Sequence, residues 1–318
     1  MGKDDGALTE AKSAGKFRRK RLPVFNSSRS ALCTCPPKYN INPYLGRCSH
    51  NCLYCYAIKF PSFTGPIIPR LKLKEEILEM ARGTGMRLPV MLSDSTDPYQ
   101  PLEKEYELTR ACLETLSKYE FPLLIVTKSD LVVRDIDIFK KTPTVVSITI
   151  TTCRDDISAL IEPNAPKPHA RFTALKKIAD ENIPTVIRID PIIPTVNSDL
   201  SDLKQIVSKA SKIGVKQITA STMKMVRGLP EVMRSINPHL YSRLAKIYSG
   251  GEWIGGYKYL NRDLRLGILK ALRSIVQEYG LEFATCREGF QELNTTICDG
   301  TAYCRRTLDG LLKSRSAK

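Results

Sequence analysis

No window of the 318-residue sequence approaches eighteen consecutive apolar residues, which excludes a membrane-spanning helix. The opening stretch, Met1 to Arg21, is polar and basic and lacks the apolar core of a signal peptide. Low-complexity tracts and simple repeats are missing too. With 42% apolar and 26% charged residues, wholesale disorder is excluded as well. These absences leave a globular, cytoplasmic protein of one large domain or two small ones, with no membrane partner. Acidic residues are also scarce: 33 Asp and Glu stand against 49 Lys and Arg, a net charge of +16. Such an excess draws polyanions, so DNA or RNA is the expected partner, with plain solubility as the competing reading.

What is present is a regular alternation. Short apolar runs occur at Leu88–Leu92, Pro122–Thr127, Thr144–Ile150, Pro184–Ile189, Val215–Thr219 and Leu281–Ala284, with a further strand expected around Tyr39–Tyr44. Helix-length stretches lie between them at Glu103–Tyr119, Pro168–Glu181, Leu200–Ile213 and Asn261–Tyr279. Strands rich in Val, Ile and Leu that alternate with helices predict βα units around a parallel sheet. Six or seven such units fall short of eight, so the expected fold is α/β, a partial, open TIM-like barrel of (β/α)6 type. Residues 1–30, with Lys16, Arg18, Arg19, Lys20 and Arg21, read as a flexible basic arm. Residues 31–310 form the barrel and 311–318 a flexible tail; a monomer is expected.

Function in such folds collects at the C-terminal ends of the strands. Those ends are polar here: Ser93 to Asp97, Thr127-Lys128-Ser129, Thr151-Thr152-Cys153, Arg188-Ile189-Asp190, Ser221-Thr222 and Thr285-Cys286. Strand alternation places Ser147, Thr149, Thr151 and Cys153 on one face, opposite Val146, Ile148 and Ile150. Arg188 likewise stands opposite Ile187 and Ile189. Small hydroxyls and a charge on one face of a buried strand predict a polar barrel interior.

Ten cysteines without an export signal do not read as a disulfide framework. Cys48, Cys52 and Cys55 are spaced so that one loop can wrap one metal cluster, and three ligands would leave one iron of a [4Fe–4S] cube open. A zinc site completed by His50 is the competing reading. Cys48-x3-Cys52-x2-Cys55, with Tyr54 before the last Cys, resembles the signature of the radical S-adenosylmethionine (SAM) superfamily. The flanking Asn42-Pro43-Tyr44, His50 and Tyr54-Cys55-Tyr56-Ala57 resemble its spore photoproduct lyase-like branch, the DNA repair photolyases. Thr127-Lys128, Ser147, Glu162-Pro163, Arg171 and Pro191 follow in that branch's order, so the resemblance covers roughly residues 39–195, with a weaker match at Cys286–Phe290.

The resemblance implies a [4Fe–4S] cluster on Cys48, Cys52 and Cys55 that binds SAM at its open iron and cleaves it to a 5′-deoxyadenosyl radical. Tyr54 would lie against the adenine, and Thr96, Lys128 and Ser147 match the branch's SAM contacts. Arg188 joins them as a cofactor-binding candidate from its place on the inner face. A low-potential donor such as ferredoxin or flavodoxin is implied as electron source. Asp94 stands where true lyases carry a hydrogen-donating Cys, and a carboxylate cannot return a hydrogen atom. Cys153 and Cys286 are the candidate substitutes, each ending a strand, with a buried thiol as the plainer reading of both. Cys112 reads as core.

A radical SAM enzyme acting on nucleic acid is the leading expectation. Its rivals are the same chemistry on a protein or small molecule, and a non-catalytic iron–sulfur or zinc nucleic-acid-binding module. The Cys33–Cys35 pair precedes the first strand and Cys286 ends the last. In an open barrel these could converge with Cys298 and Cys304 on a second cluster, ordinary reduced thiols being the alternative.

Overall fold

The computed structural model describes residues 21–25 and 31–304; residues 1–20 and 26–30 of the expected arm and the whole expected tail lie outside them. Seven parallel strands form one sheet: β1 (Tyr39–Ile41), β2 (Val90–Leu92), β3 (Leu123–Thr127), β4 (Thr144–Thr149), β5 (Thr185–Ile192), β6 (Gln217–Thr222) and β7 (Glu282–Thr285). Neighbours in the sheet follow chain order, and every pairing is parallel. β1 and β7 are not paired, so the barrel is partial and open along that seam.

Alternation along the strands divides two environments. Val90, Leu92, Ile125, Val146, Ile148, Ile187, Ile189 and Ile218 pack outward into the main core under the helices. These are α1 (Leu73–Gly83), α2 (Leu108–Lys118), α3 (Pro168–Asp180), α4 (Leu200–Ile213) and α7 (Arg262–Glu278), while α5 (Leu229–Ile236) and α6 (Pro238–Ser249) pack into a second cluster with Met223, Met225 and Tyr259. Three of them, α1, α5 and α6, lie outside the expected helical stretches. α1 owes its place to Leu73, Ile77 and Ala81, all buried at four-residue spacing on one face. The expected helix over Glu103–Tyr119 is interrupted at Glu107, which takes a left-handed φ of 47°. α2 starts afresh there because the Glu103 carboxylate accepts the backbone N–H groups of Thr109 (2.9 Å) and Arg110 (3.2 Å).

The inward face is closed at its lower end by apolar residues. Met91, Leu124, Val145 and Val186 meet Tyr303 and Cys304, which the chain brings back inside the barrel. Gly300 enables that return: its φ is 82°, and a Cβ there would stand 3.2 Å from Val186 Cγ2. Above this plug the inner face turns polar. Residues 21–25 correct the boundary of the expected basic arm. Leu22 is buried, Val24 bridges Tyr39, and the Phe25 N–H donates to Lys38 (2.8 Å), so this stretch is part of the barrel wall.

Candidate active site

The strand ends open into one cavity of about 680 Å³. Its wall includes Cys48, Cys52 and Cys55 on the loop after β1, with Thr96, Asp97 and Lys128 from the ends of β2 and β3. The cluster loop is set by a close backbone approach. At Gly46, φ is 77° and a Cβ would overlap the Pro66 carbonyl oxygen, so only glycine fits there.

Beyond Gly46 the loop is fastened at several points. Gln100 Oε1 accepts from Ser49 N (3.1 Å) and Ser49 Oγ (2.9 Å), the Asn164 amide donates to the Ser49 carbonyl (3.0 Å), and Leu53 N–H donates to Ile161 (2.9 Å). His50 Nε2 lies 3.2 Å from Asp97 Oδ2, and its Nδ1 lies 3.3 Å from the Asn164 carbonyl. Both ring nitrogens are therefore directed at protein partners, which corrects the reading of His50 as a fourth zinc ligand. Asp97 is the hub of this corner. It also accepts from Thr127 Oγ1 (2.6 Å) and from the backbone N–H groups of Tyr99 (2.9 Å) and Lys128 (2.7 Å). Burial opposes its charge, but the His50 ring, the Thr127 hydroxyl and the Lys128 N–H hold its carboxyl down at about 2.

Tyr54 is held from behind. Its hydroxyl donates to Glu162, which pairs with Arg171 at 2.5 Å, and Glu162 and Arg171 are both almost fully buried. Burial pushes the Glu162 carboxyl up, but Arg171 and Lys128 outweigh that and keep it below the usual carboxylate range. The Lys128 ammonium lies 5.6 Å over the Tyr54 ring. Thr96 lines the cavity, with its hydroxyl 3.3 Å from the Tyr44 carbonyl. Ser147 is fully buried on the inner face, and its Oγ has no hydrogen-bond partner among the described residues.

These residues fit a cubane cluster with an organic ligand beside it. The three thiols come from one loop on one wall. Asn40 Oδ1 and Asn42 Oδ1, in the same wall, are buried without partners among the described residues. Burial pushes Cys48 and Cys52 up to about 12, so ligation of a metal there would have to displace their protons. Among the described residues no three Cys, His, Asp or Glu side chains are already drawn around one ion.

Two candidates placed together at the mouth, Cys153 by strand parity and both by ending a strand, separate here. Cys286 lines the cavity on the inner face. Cys153 does not line it. Its N–H donates to Asp202 of α4 (3.2 Å), its thiol lies near Lys209 of the same helix, and it packs against the outer core. The parity argument fails because β4 ends at Thr149, four residues earlier, and the chain has already turned toward the helix layer. Arg188 faces the cavity but is held by Asp190 at 2.6 Å, beside Cys286. Cys112 is fully buried in the core, as expected.

A polar chain on this far side escaped sequence reading. Asp190 accepts from Ser221 Oγ (2.7 Å), which accepts from Lys224 (2.9 Å). Lys224 pairs with Glu288 (2.8 Å), and Glu288 with Arg265 (3.1 Å). Only the polar ends of β5 and β6 hinted at it.

The radical SAM superfamily model matches residues 42–206, more than half of the chain, and the chain belongs to that superfamily. It is a radical SAM enzyme, a class that uses a [4Fe–4S] cluster and SAM. An uncharacterized protein of Methanocaldococcus jannaschii is 35% identical over 176 residues, which span 54% of this chain and 65% of that relative. An uncharacterized Mycobacterium tuberculosis protein is 25% identical over 286 residues, 80% of this chain and 84% of that one. A spore photoproduct lyase variant with bound AdoMet and dinucleoside spore photoproduct shares the fold. Its TM-score is 0.57 at 14% identity, over 83% of this chain and 80% of that one. Among the described residues no helix is long and apolar enough to cross a membrane.

Proposed function

We propose that this enzyme abstracts hydrogen from a base or sugar of a nucleic acid, in repair or modification. The carrying observation is the wall of the cavity: Lys38, Arg70, Arg188 and Lys224 pair with carboxylates, but Arg47, Lys59, Lys128 and Arg287 also line it, with tyrosines and phenylalanines among them. A basic funnel with aromatic faces suits a phosphate backbone and a base stacked out of its strand. Lys59 and Arg287 both lie against the Tyr257 ring, at 3.9 and 4.3 Å from its centroid, so charge and stacking surface come together. The dinucleoside bound to the lyase of the same fold supports the reading.

When bound, the cluster and SAM supply the hydrogen-abstracting chemistry on Cys48, Cys52 and Cys55. The protein's share is binding and positioning. Lys128 offers an ammonium to a carboxylate, its backbone fixed by Asp97. Tyr54, locked by Glu162 and Arg171, presents a ring to an adenine. Thr96 and Ser147 add hydroxyls. A low-potential donor such as ferredoxin or flavodoxin, a cytoplasmic setting and a monomeric chain complete the reading.

The test is anaerobic reconstitution with SAM, a reductant and deuterated DNA or RNA. Deuterium in the 5′-deoxyadenosine formed is the expected result. Deuterium acquired only from a peptide or small-molecule pool would overturn the nucleic-acid reading and leave the enzyme class standing.

A further inference from the structure

Four cysteines from three distant segments meet at one place in the cavity wall, and the cluster on Cys48, Cys52 and Cys55 uses none of them. Cys33 and Cys35 lie in the segment before β1, Cys286 follows β7, and Cys298 lies in the segment returning to the barrel interior. Cys35 Sγ and Cys298 Sγ are 4.0 Å apart. Cys33 contacts Cys35 through its thiol, and Cys286 contacts Cys298, so the four sulfurs form a continuous group.

Their supports are rigid. Cys286 N–H donates to Ala220 (2.9 Å), and the Cys298 carbonyl accepts from Thr219 Oγ1 (2.8 Å). A fully buried ion pair, Lys38 to Asp299 at 2.8 Å, ties the first segment to the last. Cations stand by: Lys38 acts on Cys35, and Arg188 on Cys286.

We propose that Cys33, Cys35, Cys286 and Cys298 ligate a second, thiophilic metal centre that closes the seam between the first and last units of the open barrel. Four thiolates are a common ligand set for zinc and for iron–sulfur clusters alike. Zn–S bonds of about 2.3 Å in a tetrahedron put sulfurs about 3.8 Å apart, close to the 4.0 Å between Cys35 and Cys298. The metal-free thiols are not yet gathered around one point, as is equally true of Cys48, Cys52 and Cys55. Ligation draws them in. Cys304, expected in the same group, is excluded: it sits in the apolar plug, with Sγ 3.3 Å from the Leu123 carbonyl. Ligation would exclude hydrogen return by Cys286, since a metal thiolate carries no S–H.

The test is metal analysis of the full chain carrying Cys48→Ala, Cys52→Ala and Cys55→Ala, prepared anaerobically and checked for folding by circular dichroism. We expect about one bound centre per chain to remain. Zinc without sulfide marks a mononuclear site, and iron with sulfide marks a cluster. Adding Cys35→Ala and Cys298→Ala should remove it, whereas adding Cys112→Ala should not. A metal-free but folded triple variant would overturn the proposal. So would a Cys35–Cys298 disulfide in protein kept under reductant. An independent reading uses the unmutated chain. Alkylation should reach Cys33, Cys35, Cys286 and Cys298 only after a chelator strips the metal, and equal labelling with and without chelator would count against the site.

Discussion

The two sides of the barrel mouth are built in opposite ways. On one side, Cys48, Cys52, Cys55 and Tyr54 fall within eight residues of one loop, and neighbouring strand ends only fasten that loop in place. On the other, Arg188, Asp190, Ser221, Lys224, Glu288 and the four proposed ligands come from five segments spread between residues 33 and 298. A compact loop can carry its chemistry anywhere the chain places it. A site gathered across an open seam exists only once the whole barrel has formed. The first side should therefore fail by losing ligands, and the second by losing the fold that assembles it.

The largest effect expected is on the loop. Changing Cys48, Cys52 or Cys55 singly to Ala should abolish reductive SAM cleavage while leaving the circular dichroism spectrum intact. Undiminished 5′-deoxyadenosine in any one variant would remove the contrast between the two sides.

Next comes the support behind the loop. Glu162→Gln leaves Arg171 buried beside a neutral partner, and breaking such a pair costs about 3–5 kcal/mol. A urea titration at neutral pH should show the loss. The Glu162 carboxyl is held below its ordinary value, so the unfolded state takes up the proton first. Its contribution is present above the usual glutamate range of about 4.3 and fades as pH falls below it. The difference between the parent and Glu162→Gln should shrink on acidification. A constant difference would place the effect elsewhere.

Asp97→Asn tests the hub. It keeps the shape but weakens the grip on His50 and on the Lys128 backbone, and loss of such outer support typically costs about 10–100-fold in metal affinity or activity. Iron content per chain and the rate of SAM cleavage should fall together.

The mouth should respond more modestly. Binding to DNA or RNA should weaken with salt, and Arg47→Ala with Arg287→Ala should flatten the log–log slope by about 1–2. Removing residues 1–20, which carry Lys16, Arg18, Arg19 and Lys20, should flatten it further. A slope unchanged in both variants would leave the charge as a matter of solubility. The smallest effect is expected of Cys153→Ser. Its thiol faces α4 and not the cavity, so product formation should stay within about twofold, as for surface changes away from a site. A large loss would show that the helix layer reaches the chemistry.

Much of the fold was legible because parallel βα units write themselves as short apolar runs between amphipathic stretches. Ile148 and Ile187 point outward, and Ser147 and Arg188 inward, as alternation required. The same rule failed at Cys153, because parity holds only while the strand lasts, and β4 stops at Thr149. The Glu103–Tyr119 helix was misread for a similar local reason. Glu103 caps a new start at Leu108, and no periodicity signals a single left-handed residue at Glu107.

The sequence by itself determined the class of sheet, the loop that groups Cys48, Cys52 and Cys55, and the excess of positive charge. Each depends on residues close in the chain or on simple composition, so contact order does not enter. Tertiary structure alone decided that His50 binds Asp97 and not metal, and that residues 297–304 return to plug the barrel. It also decided that Cys33 and Cys35 meet Cys286 and Cys298 while Cys304 does not. Those outcomes turn on which strands end the open sheet and on where Gly300 lets the chain turn inward. Such geometry emerges from packing across more than two hundred residues, and no local spacing encodes it.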